Sequence, residues 1–188
     1  MKTIKIAAIL LLAVSVSTFA QKKEVSIEKS VVKWTGNKIG KSHHGTIGIK
    51  SGYLELTKEQ ITGGEIVIDM NTIKDLDLTD PKYNDMLVGH LKSDDFFGVE
   101  KYPTAKFLVT KATKFKDGKA TVTGKITIKE KTEIISFDVS QKGSEFTTEV
   151  KIDRSKFDVR YGSDSFFDNL GDKAIDNIFI LDISLYLK

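Results

Sequence analysis

The sequence contains no cysteine, and this absence excludes several kinds of chemistry at once. Disulfide bonds, thiolate metal sites, covalently attached haem and cysteine nucleophiles all require a residue that the chain does not have. We also expect no lipoprotein anchor, because that lipid is carried by a cysteine at the cleavage site. The fold must therefore be held together by its hydrophobic core alone.

Long hydrophobic runs are also scarce. Residues 6–16 form one run of apolar or small residues after a basic start, which predicts a secretory signal peptide over 1–20 with cleavage after Ala20. This run is too short for a membrane span, and no later stretch approaches the roughly 18 apolar residues that a span requires. We therefore expect residues 21–188 to form one domain that is periplasmic or secreted, without stable membrane insertion.

The chain also has almost no excess of charge of either sign. The chain carries 29 basic and 26 acidic residues, and removing Lys2 and Lys5 with the signal peptide lowers the net charge from +3 to +1. The two signs are interspersed along the rest of the chain. Binding to nucleic acid or to an anionic membrane requires concentrated positive charge, so we expect neither partner.

What the chain does contain is a repeated alternation of apolar and polar residues, as in residues 66–70, 120–128, 146–152 and 179–185. Side chains on a strand alternate between its two faces, so each segment has one apolar and one polar face. The pattern predicts an all-β domain whose strands close into an eight-stranded antiparallel barrel. The predicted strands lie near 30–36, 45–56, 64–71, 104–112, 119–129, 133–140, 145–153 and 177–187.

Glycine-containing pairs mark the connections between these strands. Asp117-Gly118 predicts a tight hairpin, since both positions tolerate a positive φ. The pairs at 51–52 and 63–64 are either turns or bulges that let a barrel strand bend.

The segment 79–97 departs from the alternation and predicts one helix of about three turns. Thr79 or Asp80 can cap it, and Pro81 suits its first position. Its apolar residues recur at helical spacing, which gives a stripe suited to covering the open end of a barrel. The stripe consists of Tyr83, Met86, Leu87, His90 and Leu91.

Two interpretations of His90 remain open at this stage. It is either a polar contact at the barrel mouth, with Phe96 and Phe97 lining the entrance, or a buried histidine satisfied by a nearby carboxylate or carbonyl. An enzyme acting on a bound lipid through His90 with Asp94 or Asp95 is a further hypothesis. No serine-centred nucleophile motif and no phosphate-binding loop support catalysis, so we expect no catalytic residues.

Metal-binding patterns are weak. His43 and His44 are adjacent, and adjacent side chains on an extended chain point in different directions. Asp75, Asp77 and Asp80 lack the glycine and the closing glutamate of a calcium loop, which is typical of a solvated loop. We therefore expect neither a metal ion nor a cofactor.

Five stretches, in order along the chain, resemble the YceI family of polyisoprenoid-binding or lipid-binding proteins. They are KWTGNKIGKSHHGTIGIKSGYLEL, GGEIVIDMNTI, HLKSDDFFGVEKYPTAKF, VTGKITIKEKT and IDRSKFDVRYGS. Two departures stand out: Glu130 replaces a frequent turn glycine, and the pair His43-His44 replaces a single histidine.

The resemblance implies an eight-stranded lipocalin-like barrel that holds a long isoprenoid, quinone-like or fatty-amide molecule, in an exported protein with no assigned reaction. Arg154 would then either hold a polar head group or tie a loop to the 94–95 segment. The residues that we predict to bind ligand combine the matched family positions with inward-facing apolar residues. They are Trp34, Ile66, Ile68, Met70, Met86, Leu87, His90, Phe96, Phe97, Phe107, Ile126, Arg154 and Phe157.

Alternation alone leaves other functions possible. A barrel filled by its own side chains would act as a protein-interaction or stress-response module without ligand. An outer-membrane barrel has the same period, but the many charged residues on the polar faces argue against it. The apolar last strand, 179–187, is a candidate contact for a homodimer.

Overall fold

The structure, a computed structural model, describes residues 19–188; the predicted signal peptide lies, except for its last two residues, outside the described residues. The described chain forms one sheet of nine strands, one α-helix and two short 3-10 helices at Arg154–Phe157 and Gly171–Lys173. The strands are β1 (Gln21–Glu24), β2 (Val31–Lys38), β3 (Lys41–Leu56), β4 (Ile61–Asp75), β5 (Thr104–Ala112), β6 (Lys119–Ile128), β7 (Lys131–Lys142), β8 (Glu145–Asp153) and β9 (Ile175–Tyr186). Helix α1 spans Pro81–Lys92.

The strands close into a barrel in which every neighbouring pair is antiparallel. The order runs from β2 through β9, β8, β7, β6, β5 and β4 to β3, which pairs again with β2. The short β1 pairs with the far end of β3 and continues the position of β2, because Val25 after it bridges Leu187 beyond β9. The prediction of an eight-stranded antiparallel barrel with one helix is confirmed.

The turn chemistry explains where the strands reverse and bend. Asp117 and Gly118 have φ values of 51° and 73°, as the predicted tight hairpin requires. The other two glycine pairs lie inside strands. β3 shifts register just before Gly52, and a Cβ on Gly64 would lie 2.7 Å from the carbonyl oxygen of Tyr53. Both pairs therefore serve bending and close strand approach, not turns.

Helix α1 begins as predicted, since the Asp80 side chain accepts a hydrogen bond from the Lys82 backbone N–H at 2.9 Å and Pro81 is the first helical residue. Its packed face differs from the predicted stripe. Tyr83 is 57% and Met86 61% exposed, whereas the inner face carries Leu91 and its partly buried neighbours.

A polar anchor accounts for this rotation of the helix. The side-chain amide of Asn84 donates to three oxygens at 3.1–3.2 Å: the carbonyl oxygen of Asp75, the side-chain Oδ1 of Asp75 and the carbonyl oxygen of Leu78. Asn84 therefore faces inward, and Tyr83 and Met86 of the predicted stripe do not. Leu87, Val88 and Leu91 lie on the same inner face as Asn84.

Buried side chains form two clusters stacked along the barrel. The cluster beside α1 contains Trp34, Met70, Leu91 and Phe96, and the other contains residues such as Val122. Half-buried residues of the central zone, Ile47, Ile68, Phe107, Phe137, Leu181 and Ile183, pack against both clusters. The barrel interior is therefore apolar from one end to the other.

Two further features concern assembly and membranes. Strand β9 pairs with β2 along one edge and with β8 along the other, so a homodimer through this strand would use its outward side chains, and homodimerisation stays a prediction. Within residues 19–188, no helix is long and apolar enough to span a bilayer.

Candidate functional site: an apolar cavity with a lateral gap

An apolar cavity lies inside the barrel, with a volume of about 230 Å³. A single water molecule needs roughly 10–15 Å³ of such space, so the cavity exceeds by far the packing defects of a filled core. The barrel is therefore hollow and is not filled by its own side chains. The alternation in the sequence fits both arrangements and did not distinguish between them.

All eight barrel strands contribute inward-facing side chains to the cavity wall. The alternation places them there, because residues two apart share a face. The polar residues of the wall are Lys106, Thr148, Arg154 and Asp176. Nine of the residues predicted to bind ligand line the cavity: Trp34, Ile66, Ile68, Met70, Phe96, Phe97, Phe107, Ile126 and Arg154.

Four predicted residues do not line it. Met86 is exposed on the outer face of α1, and Leu87 packs against the core cluster from the helix. Phe157 is fully buried behind the wall in the 3-10 helix that follows β8. The ring of His90 lies edge-on to Tyr161, with centroids 4.3 Å apart, outside the cavity.

Arg154 lines the cavity, but its guanidinium group donates hydrogen bonds to backbone carbonyl oxygens. The side chain is 2% exposed. Its Nε donates to the carbonyl oxygen of Asp176, Nη1 to those of Val159 and Tyr161, and Nη2 to that of Ile175, all at 2.8–2.9 Å. Burial lowers the pKa of Arg154. Four of its five N–H groups are thus used, and Arg154 ties the loop after β8 to the start of β9, not to the 94–95 segment.

One part of the barrel wall is open. Strands β7 and β8 form only three residue pairs, which end at Ser140–Thr147, whereas β6 and β7 form ten and β8 and β9 form nine. Just past the last pair, the Thr148 hydroxyl donates to the carbonyl oxygen of Asp138 at 2.7 Å. We call the space between residues 131–139 of β7 and 148–153 of β8 the β7–β8 gap.

The gap lies where the cavity wall adjoins a groove on the outer surface. The two share lining residues on the strands that flank the gap and on β9: Ile135, Phe137, Thr148, Val150 and Ile183. The outer groove carries charges of both signs, with Lys29, Lys33 and Lys151 beside Asp138, Glu149 and Asp182. Beyond Ser140–Thr147, the apolar interior and the polar outer groove are therefore separated by two strands without backbone pairing.

The far end of the gap is closed by Lys129. Its ammonium group donates to the carbonyl oxygens of Phe96 at 2.9 Å and Asp158 at 3.0 Å. Desolvation by burial lowers the pKa of Lys129. Lys129 and Glu130 both have positive φ values, 48° and 64°, so the turn is a two-residue hairpin of the same type as the Asp117-Gly118 turn, without the glycine.

A family model described as the YceI-like domain matches residues 23–186. The chain belongs to the YceI-like family. BcnA of Burkholderia cenocepacia is 25% identical to this YceI-like protein, with a TM-score of 0.64; the match covers 86% of this chain and 98% of that chain. No curated protein matches the sequence.

Two more solved structures share the fold of this YceI-like chain. A polyisoprenoid-binding domain from Saccharophagus degradans, implicated in plant cell wall breakdown, has a TM-score of 0.61 at 11% identity, covering 88% of this chain and 97% of that one. The YceI protein of Campylobacter jejuni has a TM-score of 0.52 at 23% identity, covering 69% and 74%.

The YceI-like chain offers no geometric support for the hypothesis of a catalytic His90. Asp94 pairs with Lys101 at 2.6 Å on the surface, and Asp95 is exposed. Neither carboxylate is a hydrogen-bond partner of His90 among the contacts of residues 19–188, and neither lines the cavity. The ring contacts of His90 are aromatic, with Phe96 and Tyr161.

Sequence reasoning missed the β7–β8 gap and the part that Lys129 takes in it. Strand β7 alternates as regularly as its neighbours, so its sequence carries no sign that pairing stops at Ser140. The hairpin before β7 carried a partial signal, because the sequence has Lys129-Glu130 there and no glycine. In the structure both residues have a positive φ. Such backbone strain is often kept at functional positions.

Proposed function

We propose that this YceI-like protein is an exported binding or carrier protein for a long-chain apolar molecule, of the polyisoprenoid, isoprenoid quinone or fatty-amide class. The observation that carries the proposal is the hollow apolar interior. A water-insoluble chain that crosses an aqueous compartment needs its surface hidden, and an empty apolar cavity performs that task.

The energetics favour a long ligand over a short one. Each methylene transferred out of water contributes about 0.8 kcal/mol, so about ten contribute about 8 kcal/mol. Association itself costs on the order of 4–15 kcal/mol. Short apolar molecules would therefore bind weakly, and useful affinity requires a long chain. With so few polar groups on the wall, specificity comes from the length and shape of the chain, and the head group remains near an opening.

Cavity filling tests the proposal. Ala105 is a small wall residue, and Ala105→Phe places a ring in the cavity. Leu108→Phe on the outward face of the same strand is the matched control, since Leu108 is exposed and does not line the cavity. We expect delipidated wild-type protein and the Leu108 variant to bind 11-(dansylamino)undecanoic acid with enhanced fluorescence, and Ala105→Phe to bind at least tenfold more weakly. Equal affinity in all three proteins would contradict an interior site.

Within this proposal, the ligand enters and leaves through the β7–β8 gap. Asp138→Cys with Glu149→Cys would place two outward-facing thiols across it, and the chain contains no other cysteine. The 2.7 Å bond from the Thr148 hydroxyl to the backbone of residue 138 keeps the strands near each other there. Oxidation should slow both uptake and release of the probe by tenfold or more, with little change in Kd.

A second disulfide, placed elsewhere in the barrel, distinguishes closure of the route from a general loss of flexibility. Thr123→Cys with Ser136→Cys joins two paired positions across β6 and β7, whose hydroxyls lie 2.8 Å apart. Its oxidation should leave both rates unchanged. If the two disulfides slowed uptake and release of the probe equally, or if neither slowed them, the gap would be excluded as the route.

Export and localisation to the periplasm or the exterior are part of the proposal, and the signal-peptide pattern of residues 1–20 supports them. N-terminal sequencing of the protein recovered outside the cytoplasm should begin at Gln21. Recovery of the full chain from the cytoplasm alone would contradict export.

A further inference from the structure

Three chemistry-bearing side chains converge outside the cavity, at the barrel end that carries α1. They are His43 on β3, Asp75 at the last position of β4, and Asp77 in the connection to the helix. One imidazole nitrogen and one oxygen from each carboxylate all lie within 4.8 Å of one another. None of the three residues lines the cavity, so the cluster is independent of the proposed lipid site.

Hydrogen bonds to the surrounding chain hold the carboxylates in place. Oδ1 of Asp77 accepts the backbone N–H of His44 at 2.7 Å, and its Oδ2 lies 2.8 Å from Nδ1 of His43. Oδ1 of Asp75 accepts the backbone N–H of Leu78 at 2.8 Å and the side-chain amide of Asn84 at 3.1 Å. Asp75 therefore has one oxygen bound by the protein and one without a partner, and Oδ2 of Asp77 is held by His43, the third member of the cluster.

The second oxygen of Asp75 has no partner. Asp75 is only 5% exposed, and its Oδ2 is a buried side-chain atom without a hydrogen bond. Burial raises the pKa of the Asp75 carboxyl. A buried oxygen that accepts nothing is costly, because it has lost water and gained no donor in exchange. A cation at this position would remove that cost.

We infer that His43, Asp75 and Asp77 bind one divalent transition-metal ion, with Zn²⁺ as the best fit. An imidazole with two carboxylates suits zinc and its neighbours, whereas calcium and magnesium prefer oxygen ligands alone. Zinc–ligand bonds of about 2.0–2.1 Å place tetrahedral ligands about 3.4 Å apart. Nδ1 of His43 and Oδ2 of Asp77, now 2.8 Å apart, would move apart slightly to admit the ion, and any wider separations within the 4.8 Å cluster would shorten. His43 is only partly buried, which leaves the fourth position to water.

The ion would join β3 to a segment that lies more than 30 residues later in the sequence. It links β3 to the end of β4 and to the connection before α1, and Asn84 extends the link from Asp75 into the helix. Its consequence is to fasten α1 over the barrel end. Binding to the folded state alone stabilises that state.

Calorimetric titration of the untagged protein with Zn²⁺ tests the inference. We expect one equivalent to bind with a micromolar or lower Kd. Asp75→Asn keeps the oxygen that accepts from Leu78 and removes the free ligand oxygen, so it should weaken binding at least tenfold while circular dichroism stays unchanged. His43→Ala should do the same. His44→Ala is the matched control on the neighbouring, exposed histidine, and it should bind as the wild type does.

A thermal measurement supplies the second readout. At a hundredfold excess over Kd, Zn²⁺ should raise the Tm of the wild-type protein by roughly 5–10 °C, and should not raise that of Asp75→Asn. Absence of saturable Zn²⁺ binding would overturn the inference. Equal binding by the wild type and by both ligand variants would overturn it as well, as would loss of binding in His44→Ala alone.

Discussion

Replacing Arg154 with methionine should destabilise the fold, because this arginine holds four backbone carbonyl groups together inside the protein. Methionine keeps much of the apolar length of the side chain and removes every donor. The carbonyl oxygens of Val159, Tyr161, Ile175 and Asp176 would all lose a charged partner. The loop after β8 and the start of β9 would then be joined by fewer hydrogen bonds, among them those from the Ile175 N–H to the carbonyl oxygen of Gly162 and from the Ser163 hydroxyl to Asn177.

The magnitude follows from the four bonds and from burial. A hydrogen bond to a charged group contributes about 1.5–3 kcal/mol, but neighbouring bonds to one group are not additive. Leaving a buried acceptor without its donor costs about 1–3 kcal/mol, so for four neighbouring carbonyl groups whose costs do not simply add we expect Arg154→Met to destabilise the fold by about 3–5 kcal/mol. For a chain of this length, each kcal/mol lowers the Tm by about 2–4 °C, so the Tm should fall by roughly 6–20 °C.

Urea unfolding and thermal unfolding followed by circular dichroism measure this effect, and titration with the dansyl probe measures binding by the folded fraction. Arg160→Met is the control: Arg160 is exposed and makes surface contacts with the Asp158 carboxylate and the Phe166 ring, so its loss should cost less than about 1 kcal/mol. Arg154→Met with wild-type stability and selectively weakened binding of head-group-bearing ligands would refute the reasoning. It would restore the head-group role that the sequence suggested.

Two further substitutions test the packing of the wall. Gly124→Ala should destabilise the barrel by about 1–3 kcal/mol, since its Cβ would lie 2.5 Å from the backbone carbonyl oxygen of Leu108 and would also meet the Phe107 ring. Thermal unfolding checks this, and an unchanged Tm would contradict the close approach. Lys129→Met leaves the carbonyl oxygens of Phe96 and Asp158 without their donor, at about 1–3 kcal/mol. Hydrogen exchange should then quicken around Phe96, and unchanged protection would show that Lys129 does not close the gap.

Much of the barrel was predictable because strand alternation is a local property. The period of two assigned the inward positions correctly along β4 and β5, so Ile66, Ile68, Met70 and Phe107 were expected at the wall and lie there. Asp117-Gly118 likewise specified its hairpin from two residues alone. The short β1 was missed, since its sequence QKKE is polar throughout and shows no alternation.

The rest depends on contacts between residues that are distant in sequence. The rotation of α1 follows from the contact of Asn84 with Asp75, and no periodicity in the helix reports it. The cluster of His43 with Asp75 and Asp77 arises from the pairing of β3 with β4, which brings Gly45 opposite Asp75. The acidic residues alone resembled a solvated loop, because the histidine that approaches them lies more than 30 positions earlier.

The most direct test of a hollow barrel that shelters a long apolar guest is mass spectrometry of what the protein carries. Protein isolated from its own host without denaturation should show, in native spectra, a one-to-one complex, and organic extraction should release a long-chain isoprenoid, quinone or fatty amide. The Ala105→Phe variant, prepared in parallel, should carry much less of it. A wild-type protein that carries no such molecule, and takes up none when it is offered, would contradict the account.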